Sequence, residues 1–281
     1  MFYLLNILIQ MKIILNNNIL RKTLNPFNDI GFVPTMGGIH DGHISLIKKS
    51  IQLNKKTIVS IFVNPKQFND IKDFKSYPSN IKNDLSILKK IRQLDFIYIP
   101  KFNDIYEDKK QSHIRLKKKD KILCAKHRKG HFEGVLDVMN RLTTLIKPKK
   151  IYMGKKDFQQ FFLVRNFIEQ KFNTKVIGCK TIRNKNKLAL SSRNFLLNKQ
   201  ELNDVEKISK LFLNLKNKIK NTNNINRFLQ KSKKEFESFF KIKIEYLENR
   251  NTKNLTISNK YQKSKIFLSY YYKGIRLIDN F

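Results

Sequence analysis

The apolar positions change period several times along the chain, and each change marks an element. Gly31-Phe32-Val33 is short, apolar and β-branched at its end, and Pro34 closes it as a strand, because proline is confined to strand edges and termini. From Ile44 the apolar residues (Ile44, Leu46, Ile47, Ile51) take helical spacing. Thr57 to Val63 (TIVSIFV) is an almost unbroken β-branched run, which fits a strand buried on both faces of a parallel sheet. A helix is predicted near Asn80 to Arg92 and a third strand over Leu94 to Ile99. Within Phe132 to Ile146, the stripe Val135, Val138, Met139, Leu142, Leu145 and Ile146 is helical and faces a core. Ile151 begins another strand, glycine turn and helix, and Lys175 to Ile182 is the next strand. From about Arg183 the character changes. Lys199 to Ile219 and Asn224 to Phe240 are polar helices with sparse apolar stripes. Lys243 to Glu248, Lys265 to Tyr272 and Ile275 to Ile278 are strands, the last two joined at Lys273-Gly274. This is an α/β pattern, with a parallel sheet over residues 11–182 and a smaller α/β domain over 183–281.

A length of 281 residues allows two such domains and a sizeable core. No window of about 18 apolar residues is free of charge, so no membrane-spanning helix is expected. Cys124 and Cys179 make no disulfide framework, which places the chain in a reducing cytoplasm. The net charge of +36 points first to nucleic acid. However, the lysines are spread along the chain together with excess asparagine, isoleucine and phenylalanine, as whole-chain compositional drift would spread them. No basic run is interleaved with aromatics for base stacking. Specific nucleic-acid binding is therefore not expected, and Arg115 to Lys121 is read as a solvated loop. Residues 1–10 are apolar but lack a basic start and a cleavage site, and a second methionine follows at Met11. Two readings stay open for them, a mis-called start or an extra N-terminal peptide, and the segment is too short for a spanning anchor.

The chemistry begins in Met36-Gly37-Gly38-Ile39-His40-Asp41-Gly42-His43, between the first strand and its helix. The glycines let the backbone approach a ligand, and a helix N-terminus offers unpaired N–H groups and partial positive charge. His40 and His43, three residues apart, can face one side there. Two readings stay open at this point: a polyphosphate seat, or a turn with two solvated histidines. Asn64-Pro65-Lys66-Gln67-Phe68 stands at the carboxyl end of the next strand, the edge where open α/β sheets bind ligands. Cys124, His127 and His131 could suggest zinc, but no second ligand pair has suitable spacing. Neither Ser191 nor Ser192 is followed three residues on by the Glu or Gln of a capping box. Lys156, at a predicted helix start, is unfavourable there unless an anion is present.

Pro34-Thr35-Met36-Gly37 through His40 and His43 resembles the first signature of the pantothenate synthetase (pantoate–β-alanine ligase) family, within the larger group that shares a His-x-Gly-His loop. Four further segments resemble the same family in order: Phe62-Val63-Asn64-Pro65-Lys66-Gln67-Phe68, His127 to Val135, Gly154 to Gln160, and Leu188 to Asn194. The closing Arg276 to Asn280 also matches, so the likeness runs from Met11 to the end. It implies a Rossmann-like sheet and ATP-dependent condensation of pantoate with β-alanine through a pantoyl-adenylate, with the second domain closing over the site. It places Met36 to His43, Gly154, Lys155, Lys156, Asp157, Ile182, Leu190, Ser191, Ser192 and Arg193 at ATP. His43, His40, Lys156 and Arg193 are the catalytic candidates, with His43 the proton donor. Gln67 and Gln160 are implied to hold pantoate, with Asn64 shaping the pocket. Magnesium and a homodimer are implied as well, Asp84 falling where an acidic residue helps the metal. Three positions depart from the family's pattern: Ser79 for arginine, Lys129 for proline and Lys155 for glutamate. A nucleotidyl transferase with another acceptor, a basic RNA-binding protein and an inactive relative remain alternatives.

Overall fold

The computed structural model describes residues 11–107 and 113–281. The expectation for residues 1–10 lies outside them. The first part of the chain runs β1 (Lys12–Ile14), α1 (Asn17–Leu24), β2 (Ile30–Thr35), α2 (Asp41–Leu53) and β3 (Lys56–Ile61), then α3 (Ile71–Lys75), α4 (Ile81–Leu88) and β4 (Phe96–Tyr98). It continues through α5 (Phe102–Ile105), α6 (Cys124–His127), α7 (His131–Ile146), β5 (Lys150–Gly154), α8 (Phe158–Lys171) and β6 (Lys175–Cys179). These strands form one parallel sheet in the order β1-β4-β3-β2-β5-β6. The predicted helix to Arg92 stops earlier, at Leu88, and the third strand shortens to Phe96–Tyr98. Gln93 between them takes a positive φ of 65°, which neither a helix nor a strand accommodates.

Alternation along the central strands sorts the core. Phe32 and Ile58 pack on one face with α7 and α8, while Val33 and Val59 pack on the other with Leu46 and Ile47 of α2. Pro34 fits inside β2 because pairing with β5 ends at Phe32, so its missing N–H leaves no carbonyl unmatched there.

The remainder is α9 (Lys199–Lys218), α10 (Ile225–Phe240) and the antiparallel strands β7 (Lys243–Asn251), β8 (Ser264–Tyr272) and β9 (Ile275–Asn280). One face of this small sheet, with Ile244, Leu247, Ile266 and Leu268, packs on the helices through Ile208, Phe212 and Leu229. Its other face sends Tyr246 and Phe267 into the core beneath the large sheet. The register shift between Ile244 and Tyr246 lets neighbouring residues serve both cores. Among the described residues, no helix is long and apolar enough to cross a membrane.

Candidate active site

The strand order reverses between β2 and β5, since the chain first builds outward through β3 and β4 and then returns to the far side of β2. Ligands of doubly wound sheets bind at the carboxyl ends of the strands at such a point. A cavity of about 280 Å³ lies there, lined by Thr35 and Met36 after β2 and by Gly154 and Lys156 after β5.

The glycine loop is held from three sides. Gly37 and Gly38 have φ of +81° and +63°, conformations that tolerate a side chain poorly. Asp84, only 1% exposed, accepts from the backbone N–H of Gly38 (3.0 Å) and Ile39 (2.8 Å). Ser192 donates its hydroxyl to the carbonyl of Gly38 (3.0 Å), which brings the second serine-containing segment onto the first loop. A Cβ at Gly38 would lie 2.5 Å from the carbonyl oxygen of Pro78, so the approach itself requires glycine.

His40 caps α2. Its Nδ1 accepts from Gly42 N–H (3.0 Å), which leaves Nε2 as the nitrogen that carries the proton. His43 stacks on it with ring centroids 4.1 Å apart. Burial pushes the His40 pKa down to about 4, helped by the neighbouring Lys156 charge. Burial likewise lowers His43 to about 3, with His40 and Lys156 adding to the shift. Both are therefore neutral near pH 7, and His43 Nδ1 is buried without a partner among the described residues. The reading of two solvated histidines fails on the stacking of the rings and the buried Nδ1 of His43.

Lys156 lies in a tight turn before α8, and its ammonium is 3.3 Å from Asp157. Arg193 holds Asp73 of α3 with contacts of 2.7 and 2.8 Å, and Arg128 approaches the same carboxylate at 3.9 Å. The lining carries five cationic side chains (Arg128, Lys156, Lys180, Arg193, Arg276) against two carboxylates, Asp157 and Asp279. Such an excess in a concave, partly dehydrated space favours a polyanion.

Gln67, Gln160 and Asn64 line the same cavity. Gln67 donates to Met36 Sδ (2.8 Å) and accepts from Asn64 (3.2 Å). Asn64 also meets Gly134 O, Lys66 N–H and the Tyr106 hydroxyl, so its polar atoms shape the wall. His131 beneath them bonds Gln67 O through Nδ1 (2.6 Å), and Arg128 donates to its Nε2 (2.9 Å). Those partners fix the Nδ1–H tautomer, and burial, aided by Arg128, lowers its pKa to about 3.

The structure also separates some of the residues that the sequence grouped. Ile182, Leu190, Ser191 and Ser192 line the cavity, but Gly37, Gly38, Ile39, Asp41 and Lys155 do not. Ile39 is buried in the core on the α2 side, and Asp41 is exposed. Asp84, which the resemblance sets beside a metal, has each oxygen engaged by a loop amide. Ser191 caps a short turn by accepting from Arg193 N–H (3.3 Å), a local role despite the missing capping box. Cys124, His127 and His131 address different groups: Cys124 contacts Tyr246 Oη (3.0 Å) and His127 lies 4.0 Å from Glu245. Nothing local in the sequence marks Asp73, Arg276 or Asn280, whose partners stand far away along the chain.

A cleft with this charge, at this place in such a sheet, belongs to enzymes that hold the phosphates of a nucleotide. The comparisons with known proteins narrow the class. The family model described as pantoate-beta-alanine ligase matches residues 11–281, and the chain belongs to that family. It is 38% identical over 271 residues to pantothenate synthetase of Flavobacterium psychrophilum, covering 93% of this chain and 94% of the relative. It is 39% identical over 269 residues to that of Clostridium botulinum (strain Langeland), covering 94% of each. The crystal structure of the Thermus thermophilus enzyme superposes with a TM-score of 0.89 at 27% identity, covering 96% of this chain and 99% of that one. The Francisella tularensis enzyme, titled as complexed with beta-gamma ATP and beta-alanine, superposes at 0.83 with 36% identity, covering 96% and 97%. The protein is an amide-forming ligase that joins pantoate to β-alanine using ATP.

Proposed function

We propose that the reaction proceeds through a pantoyl-adenylate, with the residues of the cavity in distinct roles. The pantoate carboxylate attacks the α-phosphorus, an O–P bond forms, and the bond to the β-phosphate breaks to release pyrophosphate. The β-alanine amine then attacks the acyl carbon, loses a proton and displaces AMP. Positioning and positive charge are what such phosphoryl chemistry requires.

The observation that carries this reading is the stacked neutral pair His40 and His43 at the N-terminus of α2, facing Lys156 across the switch point. A neutral imidazole offers an N–H to a phosphate oxygen without first taking a proton, and His43 is assigned that donation as negative charge develops. Lys156 and Arg193 neutralise the phosphates, Arg193 exchanging its contact with Asp73 for them. Met36 to His43, Gly154 to Asp157, Ile182 and Leu190 to Arg193 form the ATP seat. Within it, Gly37, Gly38, Ile39, Asp41 and Lys155 act through backbone and loop shape. Gln67 and Gln160 hold pantoate on a wall set by Asn64.

Among the described residues the side chains do not gather into a resident magnesium site. No group of three or more candidate ligands occurs among the described residues, and Asp84 is engaged by two amides. Magnesium therefore belongs to this reading as the ion carried by the triphosphate, which is its common mode in such sites. The reading also includes a homodimer in the cytoplasm, with residues 11–182 binding ATP and pantoate and 183–281 closing the site. The two free cysteines support the compartment.

The test is isotope exchange. With ATP, magnesium and pantoate but no β-alanine, labelled pyrophosphate should enter ATP, and omission of pantoate should abolish this. Gln160→Ala should raise the pantoate requirement more than the ATP requirement. Exchange that ignores pantoate, or that needs an amino acid instead, would overturn the assignment.

A further inference from the structure

We infer that Asn280, on the last strand of the small sheet, is a positioning residue for the reaction: its carboxamide fixes the turn that carries Lys156. The inference rests on the reading of Lys156 as a phosphate ligand. Asn280 is 2% exposed and lies outside the cavity lining. Its Nδ2 donates to the carbonyls of both Lys155 (2.8 Å) and Lys156 (2.7 Å), so one amide group uses its two hydrogens on consecutive peptide units. Its Oδ1 accepts from the Lys265 ammonium at 2.8 Å. The orientation of the amide is unambiguous, since carbonyls only accept and an ammonium only donates.

The backbone around Asn280 is held just as firmly. Arg183 grips Asp279 with two bonds, of 2.6 and 2.8 Å, and reaches the Asn280 carbonyl at 3.1 Å. Asn280 pairs with Phe267 in the sheet, and Phe267 is buried in the core beneath the large sheet. The tether therefore runs from a rigid strand to a turn with no other side-chain cap of its own.

Peptide planarity gives the tether its consequence. In a trans peptide the N–H points opposite to the C=O. Drawing the carbonyls of Lys155 and Lys156 toward Asn280 therefore turns the N–H groups of Lys156 and Asp157 away from it. Lys156 and Asp157 line the cavity, and Asn280 stands behind them. The two amide dipoles and the lysine are thus oriented together before any nucleotide arrives, which is the preorganisation that electrostatic stabilisation needs.

The experiment compares Asn280→Asp, Lys265→Met and Lys156→Ala with the unaltered protein. Asn280→Asp keeps the size of the side chain but sets an oxygen against two carbonyls. Deuterium uptake in a peptide spanning residues 154–158 should rise in the nucleotide-free protein. The KM for ATP should rise about tenfold, while the KM for pantoate stays within about twofold, the split expected when one ligand's seat is disturbed. Lys265→Met leaves the donors in place but frees the amide to turn, and should shift both readouts in the same direction by less. It decides the matter if Asn280→Asp does not fold. Unchanged uptake, or equal changes in the two KM values, would overturn the inference. If instead Lys156→Ala leaves both turnover and the KM for ATP unaltered, the phosphate reading fails, and the uptake result still decides whether the tether exists.

Discussion

His43 carries a buried ring nitrogen with no partner among the described residues, beside a second neutral imidazole and a lysine. A core histidine is normally satisfied by hydrogen bonds, so the open atom marks a ligand contact. His43→Ala and Lys156→Ala should each lower turnover by roughly two to three powers of ten, the range for losing one transition-state donor. Thermal melting should be little changed, because both residues serve a ligand loop. Near-normal turnover in both variants would refute the assignment. The same histidines make a second prediction. His40, His43 and His131 have pKa values of about 4, 3 and 3 in the fold, against an ordinary 6.5. Between pH 6.5 and about 4 the unfolded chain binds these protons and the folded protein does not, so stability is full above that window and declines as pH falls through it. A buried histidine such as His131 contributes up to about 1.4 kcal/mol per pH unit there, and the half-buried His40 and His43 less. Urea midpoints at about pH 7.5 and about pH 5 would test it, a flat profile being the contrary result. All three departures from the family's pattern lie outside the cavity lining: Lys155 lays its carbon stem toward Gly178, and Ser79 and Lys129 are exposed.

At the scale of elements, the strand–turn–helix units were legible because period and punctuation change together. The run TIVSIFV fits a buried strand, which the structure ends at Ile61, and the glycines before α2 marked a close approach that the structure then shows. What sequence could not display is the other side of each approach. Asp84 lies 46 residues from Gly38 and Ser192 lies 154 away. Nothing local distinguishes a carboxylate that will cap a loop from a solvated one on a helix. Asn280 is harder still, since its partners are backbone carbonyls that carry no residue signature. Gly38→Ala tests how far the loop depends on this packing. A positive φ strains alanine, and the Cβ meets backbone at Pro78 and the side chain of Ser192. Destabilisation of about 1–3 kcal/mol and a raised KM for ATP are expected, read by melting and steady-state kinetics. An alanine variant with unchanged KM would mean that the two loops need not touch.

On the scale of the whole molecule, the two sheets are interlocked as well as adjacent. Asn280 holds the Lys156 turn, Ser192 holds the glycine loop, and Arg276 reaches Cys124 at 3.3 Å. Tyr246 and Phe267 sit within the core of the first body. A hinge that swung residues 183–281 away would break all of these at once and expose two large aromatic rings to water. Helix α3 is different: it has no buried residue and is linked to the site through the pairing of Asp73 with Arg193. The enzyme should therefore breathe through a flap, with residues 183–281 closing the site as a fixed wall and not by swinging. Small-angle scattering should show the same radius of gyration with and without ATP and pantoate, while a fluorophore on Lys75 changes its signal as ligand enters. Compaction of the whole particle on adding ATP would show that the lobes do part, and that the bonds joining them form anew in each turnover.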